Sequence, residues 1–239
     1  MITAIIPARG GSKGIPKKNI TDLGGLPLIA YSIAACQLAH NIDRIIVSTD
    51  DEEIAKIASA YGAEIPFLRP ADLAQDSSTD VGFLKHFFDH VNKEEAALIR
   101  PTAPLRSPAF MDHVIEKYFT IKEKISGLRS IEETHANPYK IYQLHNNILG
   151  GFFMDFQGQK DYHNLPRQVF PKAYAPNSYI DIVKKKTISQ GSTFGDRIHG
   201  EVSEQIIDID SPSDLKLAQY ATQEERLLVN FLKNKKTNT

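Results

Sequence analysis

Close to its N-terminus the chain reads Pro7-Ala8-Arg9-Gly10-Gly11-Ser12-Lys13-Gly14-Ile15-Pro16-Lys17-Lys18-Asn19. Three glycines let the backbone approach a ligand with its N–H groups turned inward, and Arg9, Lys13, Lys17 and Lys18 supply four positive charges before the first acid, Asp22. Guanidinium and ammonium groups complement phosphate oxygens, so this chemistry suits a polyphosphate. The G-x-x-x-x-G-K-[ST] spacing of a P-loop and the G-x-G-x-x-G of a dinucleotide fold are both absent, which excludes an ordinary ATPase loop and a nicotinamide site. Near the other end, Asp208 and Asp210 flank Ile209 in a strand-like run. On a strand both carboxylates project from one face, their Cα atoms about 6 to 7 Å apart, and can converge on one cation. Mg²⁺ is a hard ion that takes one or two carboxylates together with phosphate oxygens and water, and it matches such a site. The competing reading assigns Asp210 to the helix start at Ser211 and leaves Asp208 on a solvated edge. The residues alone do not choose between the two.

The elements that must position these groups follow from periodicity. Thr3–Ile6 reads as a first buried strand leading into the glycine-rich loop, where open α/β sheets bind ligands. A helix from Pro27 to about Ala39 follows, then a strand Arg44–Ser48 whose end, Thr49-Asp50-Asp51, caps the next helix. In that helix Ile54, Ile57, Ala58 and Tyr61 recur at three- and four-residue spacing before a terminating Gly62. Glu64–Leu68 is expected to be a third strand, Val81 to Val91 a helix, Ala96–Ile99 a fourth strand, and Pro108 to about Phe119 a helix. This alternation of strands and helices implies βαβ units and a largely parallel sheet. Strand pattern returns at Ser178–Val183 and Glu204–Asp210. A last helix opens at Ser211-Pro212-Ser213-Asp214, with Ser at the N-cap, Pro at N1 and an acid at N3. Lys233–Thr239 is expected to be a frayed tail.

Between about His135 and Ala175 the pattern changes to prolines, the Gly150-Gly151 pair and short β-prone pieces. Tyr139, Ile141, Tyr142, Leu144, Ile148, Leu149, Phe152, Phe153, Phe156 and Phe170 make this stretch too apolar for a solvated excursion. Apolar surface on that scale marks an interface, and the expectation is a homodimer.

Composition bounds the rest. The 239 residues are enough for one full core, so a single domain, 1–239, with an excursion at about 135–175 is expected. The 28 Lys and Arg nearly cancel the 29 Asp and Glu, which excludes the overall electrostatic footprint of a sequence-independent nucleic-acid binder. One cysteine, Cys36, lies among Ala and Ile and reads as a small buried hydrophobe; no intrachain disulfide is possible. The start lacks a signal-peptide pattern, and no stretch approaches the roughly 20 apolar residues of a membrane span. The expectation is a soluble cytoplasmic protein. His86 and His90, four apart, present no metal motif. Asp50 and Asp51 are read as helix-capping residues.

The run Ile6 to Ile20 resembles the N-terminal signature of the CMP-sialic acid synthetases, the acylneuraminate cytidylyltransferase family. Leu23–Leu28, Val47–Ala55, Arg69-Pro70 with Leu73–Asp76, Arg100–Arg106, Arg167-Gln168 and Asp208–Asp210 follow in the family's order. The resemblance implies a three-layer, Rossmann-like α/β fold of the nucleotide-diphospho-sugar transferase type, with a mixed, mostly parallel sheet and an inserted dimerisation arm. It also implies transfer of CMP from CTP to a nine-carbon keto-acid sugar, with pyrophosphate released and Mg²⁺ or another divalent cation present. On this resemblance Ala8, Arg9, Gly10, Gly11, Ser12, Lys13, Asn19 and Arg69 bind the nucleotide. Arg9, Lys13 and Asp210 carry catalysis, and the acid pair Asp208 and Asp210 binds the metal. Arg100, Thr102, Arg167, Gln168 and Asn177 bind the sugar, in a site that a neighbouring subunit's arm helps to complete. Alternatives are a nucleotidyltransferase for another sugar acid or sugar phosphate, such as an eight-carbon keto acid, and a non-catalytic nucleotide-binding regulator.

The sequence departs from the family at two places. Arg100 stands where the sialic acid enzymes have Gln, which points to a related acid such as a legionaminic-type or otherwise modified nonulosonate. Ser178 stands where Gly is usual. The acceptor carries a carboxylate, for which Arg69, Arg100, Arg106 and Arg167 are candidate partners.

Overall fold

The computed structural model describes residues 1–237. Strand β1 (Ile2–Pro7) is buried through Ile6 and delivers the chain into the glycine-rich loop. A two-rung ladder of β2 (Asp22–Leu23) and β3 (Leu26–Pro27) turns at Gly24 and Gly25, both at positive φ, where a side chain would be strained. Helix α1 (Leu28–Leu38) is buried from Leu28 to Cys36, as a predominantly apolar helix must be when both its faces meet protein. After β4 (Ile42–Ser48), the Asp51 carboxylate accepts the N–H groups of Glu53 and Ile54 and starts α2 (Glu52–Ala60), which stops before Gly62 at φ 92°. Then come α3 (Asp80–His90), β5 (Glu95–Leu98) and α4 (Pro108–Ile121), the last begun by a Ser107 cap. They are followed by β6 (Gly127–Glu133), the hairpin β7 (Tyr142–His145) and β8 (Ile148–Gly151), and β9 (Tyr174–Lys184). The chain closes with α5 (Lys185–Ser189), β10 (Ile198–Val202), α6 (Pro212–Ala221) and α7 (Arg226–Thr237).

The central sheet has six strands in the order β10-β6-β9-β5-β1-β4. β9 is antiparallel to both neighbours, and the remaining pairings are parallel. Alternate residues of each strand feed two separate cores. Ala4, Ile6, Ala97, Leu128 and Ile182 pack against α1, α2, α4, α6 and α7, while Ile5, Ile46, Leu98 and Val183 pack against α3 and α5. The chain runs from β1 to β4 on one side and then crosses to β5 on the other. This opens a crevice at the C-terminal ends of β1 and β5, the place where such sheets bind ligands.

Three expectations need correction. Glu64–Leu68 forms only one bridge, Ile46 to Glu64, because Pro66 has no N–H to extend a ladder. Glu204–Asp210 joins no sheet: the Ile206 N–H donates to the Glu132 carboxylate and the Ile209 N–H to the Thr102 carbonyl at 2.8 Å. Lys233 to Thr237 continue α7 instead of fraying; Asn238 and Thr239 lie outside the described residues. β6, with Arg129, Ser130 and two glutamates, and the edge strand β10 carry no clean apolar alternation, and their pattern did not announce them.

The stretch between β6 and β9 holds a hairpin, β7–β8, that pairs only with itself. Its apolar side chains divide into two sets. Tyr139, Phe156, Tyr162 and Phe170 pack on one another in a small cluster of their own, with Tyr139 stacked on Phe170 at 5.2 Å and the exposed Phe153 against the edge of it. Leu144, Ile148, Leu149, Phe152 and Met154 face outward, exposed.

Candidate active site

A cleft of about 650 Å³ opens at the C-terminal edge of the sheet. Arg9, Ser12, Lys13, Asn19, Arg69, Arg100, Thr102, Asp208 and Asp210 line it; so do Lys18, Asp76, Asp80, Arg129 and Ser178.

The glycine-rich loop is fastened from below. The Ala8 N–H donates to the Ser48 carbonyl, the Gly10 N–H to the Asp50 carboxylate at 3.0 Å, and the Asn19 amide to the Arg9 carbonyl at 2.9 Å. A Cβ on Gly10 would stand 2.8 Å from the Asp51 carboxylate, so this glycine is needed for close approach. Ala8 is wholly buried; it, Gly10 and Gly11 do not line the cleft. Asp50, expected as a capping residue, leaves the cap of α2 to Asp51 and anchors the loop instead. Of the four cations, Lys17 turns away to pair with Glu53 on α2, at a left-handed φ of 49°. Arg9 and Lys13 reach the cleft and share one partner there, Asp76, at 2.8 and 2.5 Å. Lys13 first and Arg9 second hold the Asp76 carboxyl below its usual range. Lys18 donates to the Ile209 carbonyl and the Asp210 carboxylate, both at 2.9 Å, tying the loop to the acid pair.

Two arginines brace the cleft. Arg69, 5% exposed, donates to the Ser48 carbonyl at 2.6 Å and stacks over Phe83; burial pulls its guanidinium down to about 10. Arg106, 1% exposed, donates to the carbonyls of Ala103, Arg100 and Ser178 and pins the loop after β5, outside the cleft lining. Burial lowers it to about 10 as well. Arg100 pairs through its fork with Asp80 at the start of α3; burial opposes its charge, and this ion pair outweighs the penalty.

Other sugar-side expectations fall elsewhere. Arg167 and Gln168 form a short turn on the arm, away from this chain's cleft, and Asn177 is buried, its amide donating to the Ser203 hydroxyl. Ser178 adopts φ 60°, a left-handed conformation that glycine takes without strain. Cys36 is buried, and burial pushes its thiol up to about 12. Among the described residues Asp208 Oδ1 is buried with no hydrogen-bond partner, beside the exposed Asp210. Two carboxylates, one with an unspent buried oxygen, fit a hard cation that completes its shell with phosphate oxygens and water. The described residues contain no group of three or more metal-binding side chains. The sequence reading missed Asp76, Asp80 and Arg129, and counted Lys18 among the four loop cations without its contact to Asp210. Asp76 lies within the family-like run Leu73–Asp76; nothing local marks Asp80 or Arg129, because their meaning depends on partners distant in the chain.

A cation-lined glycine loop at the mouth of a mostly parallel sheet, facing a pair of aspartates, defines a nucleotidyltransferase-type α/β protein. Residues 3–160 match the family described as cytidylyltransferase, and the chain belongs to that family. An N-acylneuraminate cytidylyltransferase from Escherichia coli is 33% identical over 221 residues, covering 91% of this chain and 51% of the relative. The chain thus spans about half the length of that protein. A CMP-N,N'-diacetyllegionaminic acid synthase from Legionella pneumophila is 32% identical over 233 residues, covering 91% of this chain and 94% of the relative. Among solved structures, a CMP:2-keto-3-deoxy-manno-octonic acid synthetase complexed with CTP superimposes with a TM-score of 0.72 at 13% identity, over 94% of this chain and 99% of that one. That likeness is one of fold. Among the described residues no helix is long and apolar enough to cross a membrane.

Proposed function

We propose that this chain transfers CMP from CTP to the anomeric hydroxyl of a sialic-acid-like nonulosonic acid. The observation that carries the reading is the contact of the glycine-rich loop with Asp210, which joins a triphosphate-binding end to the acid pair in one cleft. In the reaction the sugar oxygen attacks the α-phosphorus. The bond to the β-phosphate's bridging oxygen breaks, pyrophosphate leaves with its electron pair, and the hydroxyl proton passes to a base. Arg9 and Lys13 neutralise charge on the leaving pyrophosphate, Asn19 and Arg69 keep the loop and nucleotide floor in place, and Arg100 and Thr102 face the acceptor. Catalysis is then largely positioning and electrostatics. Asp208 and Asp210 would hold Mg²⁺, which when bound supplies charge neutralisation at the phosphates.

A cation at Arg100 favours a modified nonulosonate over N-acetylneuraminate itself, and the legionaminic acid synthase relative is in keeping with that. The outward face of the β7–β8 hairpin, with Leu144, Ile148 and Leu149, is the surface of a homodimer, through which Arg167 and Gln168 serve a neighbouring cleft. A monomer by light scattering at micromolar concentration would remove the dimer. CTP use and one unpaired cysteine suit the cytoplasm. The test is pyrophosphate release from each of the four nucleoside triphosphates with Mg²⁺ and a panel of eight- and nine-carbon keto-acid sugars. Release with CTP and a nonulosonate is expected. Release only with the eight-carbon acid, or none at all, overturns the reading.

A further inference from the structure

Four arginines line the cleft, and three are committed. Arg9 meets Asp76 at 2.8 Å, Arg69 donates to the Ser48 carbonyl at 2.6 Å, and Arg100 spends its fork on Asp80. Arg129 differs. It makes an ion contact with Asp181, 3.5 Å from Nε, in a geometry that is no hydrogen bond, and Nε is buried with no hydrogen-bond partner among the described residues. Its 28% exposure therefore lies away from Nε, toward the cleft it lines.

The sheet register explains how it is held. Asp181 on β9 pairs with Arg129 on one side and with Leu98 of β5 on the other, and Arg100 follows two residues after Leu98. Arg129 and Asp181 are therefore cross-strand neighbours, and Arg100 lies just beyond the end of β5 on the other side of Asp181. Asp181 is 2% exposed, and neither of its oxygens accepts a hydrogen bond from a described residue. It steadies the two guanidiniums by charge without consuming their donors. Phe194 lies under the Arg129 guanidinium, 4.4 Å from its carbon, and fixes the plane of the fork.

A planar fork held by a ring face and a buried charge, with its outer edge uncommitted, is built to receive a planar anion in bidentate fashion. The triphosphate already has Arg9 and Lys13, and the acceptor's fixed charge is its carboxylate. We propose that Arg129 binds the acceptor carboxylate, with Asp181 and Phe194 as its positioning residues and Arg100 beside it, paired to Asp80, as the wall of the same subsite. This rests on the reading of the chain as a nonulosonate cytidylyltransferase. It makes Arg129, a residue with no motif around it, the determinant of acid over neutral acceptors.

The test uses the full chain, CTP, Mg²⁺, the nonulosonate that supports fastest pyrophosphate release, and the C1-carboxamide of that sugar. Arg129→Gln is expected to raise the KM for the acid about 10- to 100-fold, the worth of a charge-assisted pair, with the CTP KM within about twofold. Wild type should prefer acid to carboxamide, and the variant should lose that preference. KM values for CTP and acceptor that rise together, or a preference for the acid that survives in Arg129→Gln, overturn the proposal. If Arg129→Gln fails to fold, Arg129→Lys keeps the charge and loses the fork. It should weaken the acid preference several-fold, and an undiminished preference is again fatal. Wild type that releases no pyrophosphate with any nonulosonate removes the functional reading and this subsite together, whereas turnover with an unaffected acceptor KM in the variant removes the subsite alone.

Discussion

A Cβ on Gly14 would stand 2.7 Å from the backbone carbonyl oxygen of Asp210, so the glycine-rich loop and the acid pair touch through a position that admits no side chain. The obstacle is backbone and cannot rotate away. Gly14→Ala is expected to cost about 1 to 3 kcal/mol of stability, as overpacking does, and to cut turnover more than tenfold by parting the loop from Asp210. Gly11→Ala, where nothing lies within 4 Å, should leave the urea midpoint unchanged or slightly raised. Equal losses in the two variants would show that loop flexibility, not this contact, matters.

Asp76 occupies both Arg9 and Lys13, the groups proposed to meet the triphosphate. Binding CTP must displace it. Asp76→Asn should therefore tighten CTP binding roughly three- to tenfold by calorimetry, since exposed pairs are individually weak. Weaker binding would mean that Asp76 positions the two cations for the ligand instead of competing with it.

Asp208 Oδ1 is buried with no hydrogen-bond partner among the described residues, which suits its proposed place at a cation. Asp208→Asn should retain the wild-type melting curve and lose about 100-fold or more in turnover, with a raised Mg²⁺ requirement. Chelation of divalent cations should abolish turnover in the wild type without unfolding it. An unchanged Mg²⁺ dependence in the variant would remove Asp208 from the metal site.

Burial lifts the Asp181 carboxyl from 3.8 to about 6, against the pull of Arg129 and Arg100, with Asp80 adding to the rise. The folded chain holds this proton more tightly than the unfolded one. The favourable contribution is thus complete below about pH 4 and lost as pH rises through about 6. Relative to Asp181→Asn, wild type should lose on the order of 2 to 3 kcal/mol between pH 4 and 7, read from urea midpoints. Parallel pH profiles would contradict the shift.

Ser178 adopts φ 60° beside the cleft, a conformation that costs an L-residue about 1 to 2 kcal/mol. Glycine relieves that strain and returns part of the gain as unfolded-state entropy. Ser178→Gly should stabilise the chain by about 0.5 to 1 kcal/mol in denaturant titration. A loss of stability would mean that the serine side chain is holding the turn.

Much of this architecture was legible in order along the chain. β1, β4, β5 and α1 to α4 follow from apolar period and caps, and Ser211 with Asp214 forms the capping box that their spacing announces. Strands β6 and β10 were not legible, because one presents Arg129 and two glutamates and the other is a mostly exposed edge. Glu204–Asp210 read as strand and is not one, since its N–H groups find a loop carbonyl and a carboxylate instead of a neighbouring strand. In the arm, composition announced apolar surface, but only packing divides Tyr139 and Phe170, which cover each other, from Ile148 and Leu149, which nothing among the described residues covers.

By itself the sequence determined the glycine-rich, cationic character of the N-terminal loop, the alternating α/β order and the presence of the acid pair, because each is written in residues close together in the chain. Tertiary structure alone decided which charges are spent. Lys17 is taken by Glu53, Arg106 by three carbonyls and Arg100 by Asp80, while Arg129 is left with an open edge. A guanidinium's availability depends on the acceptors that other strands bring to it, and strand order is set by the burial of two cores, which no local spacing records.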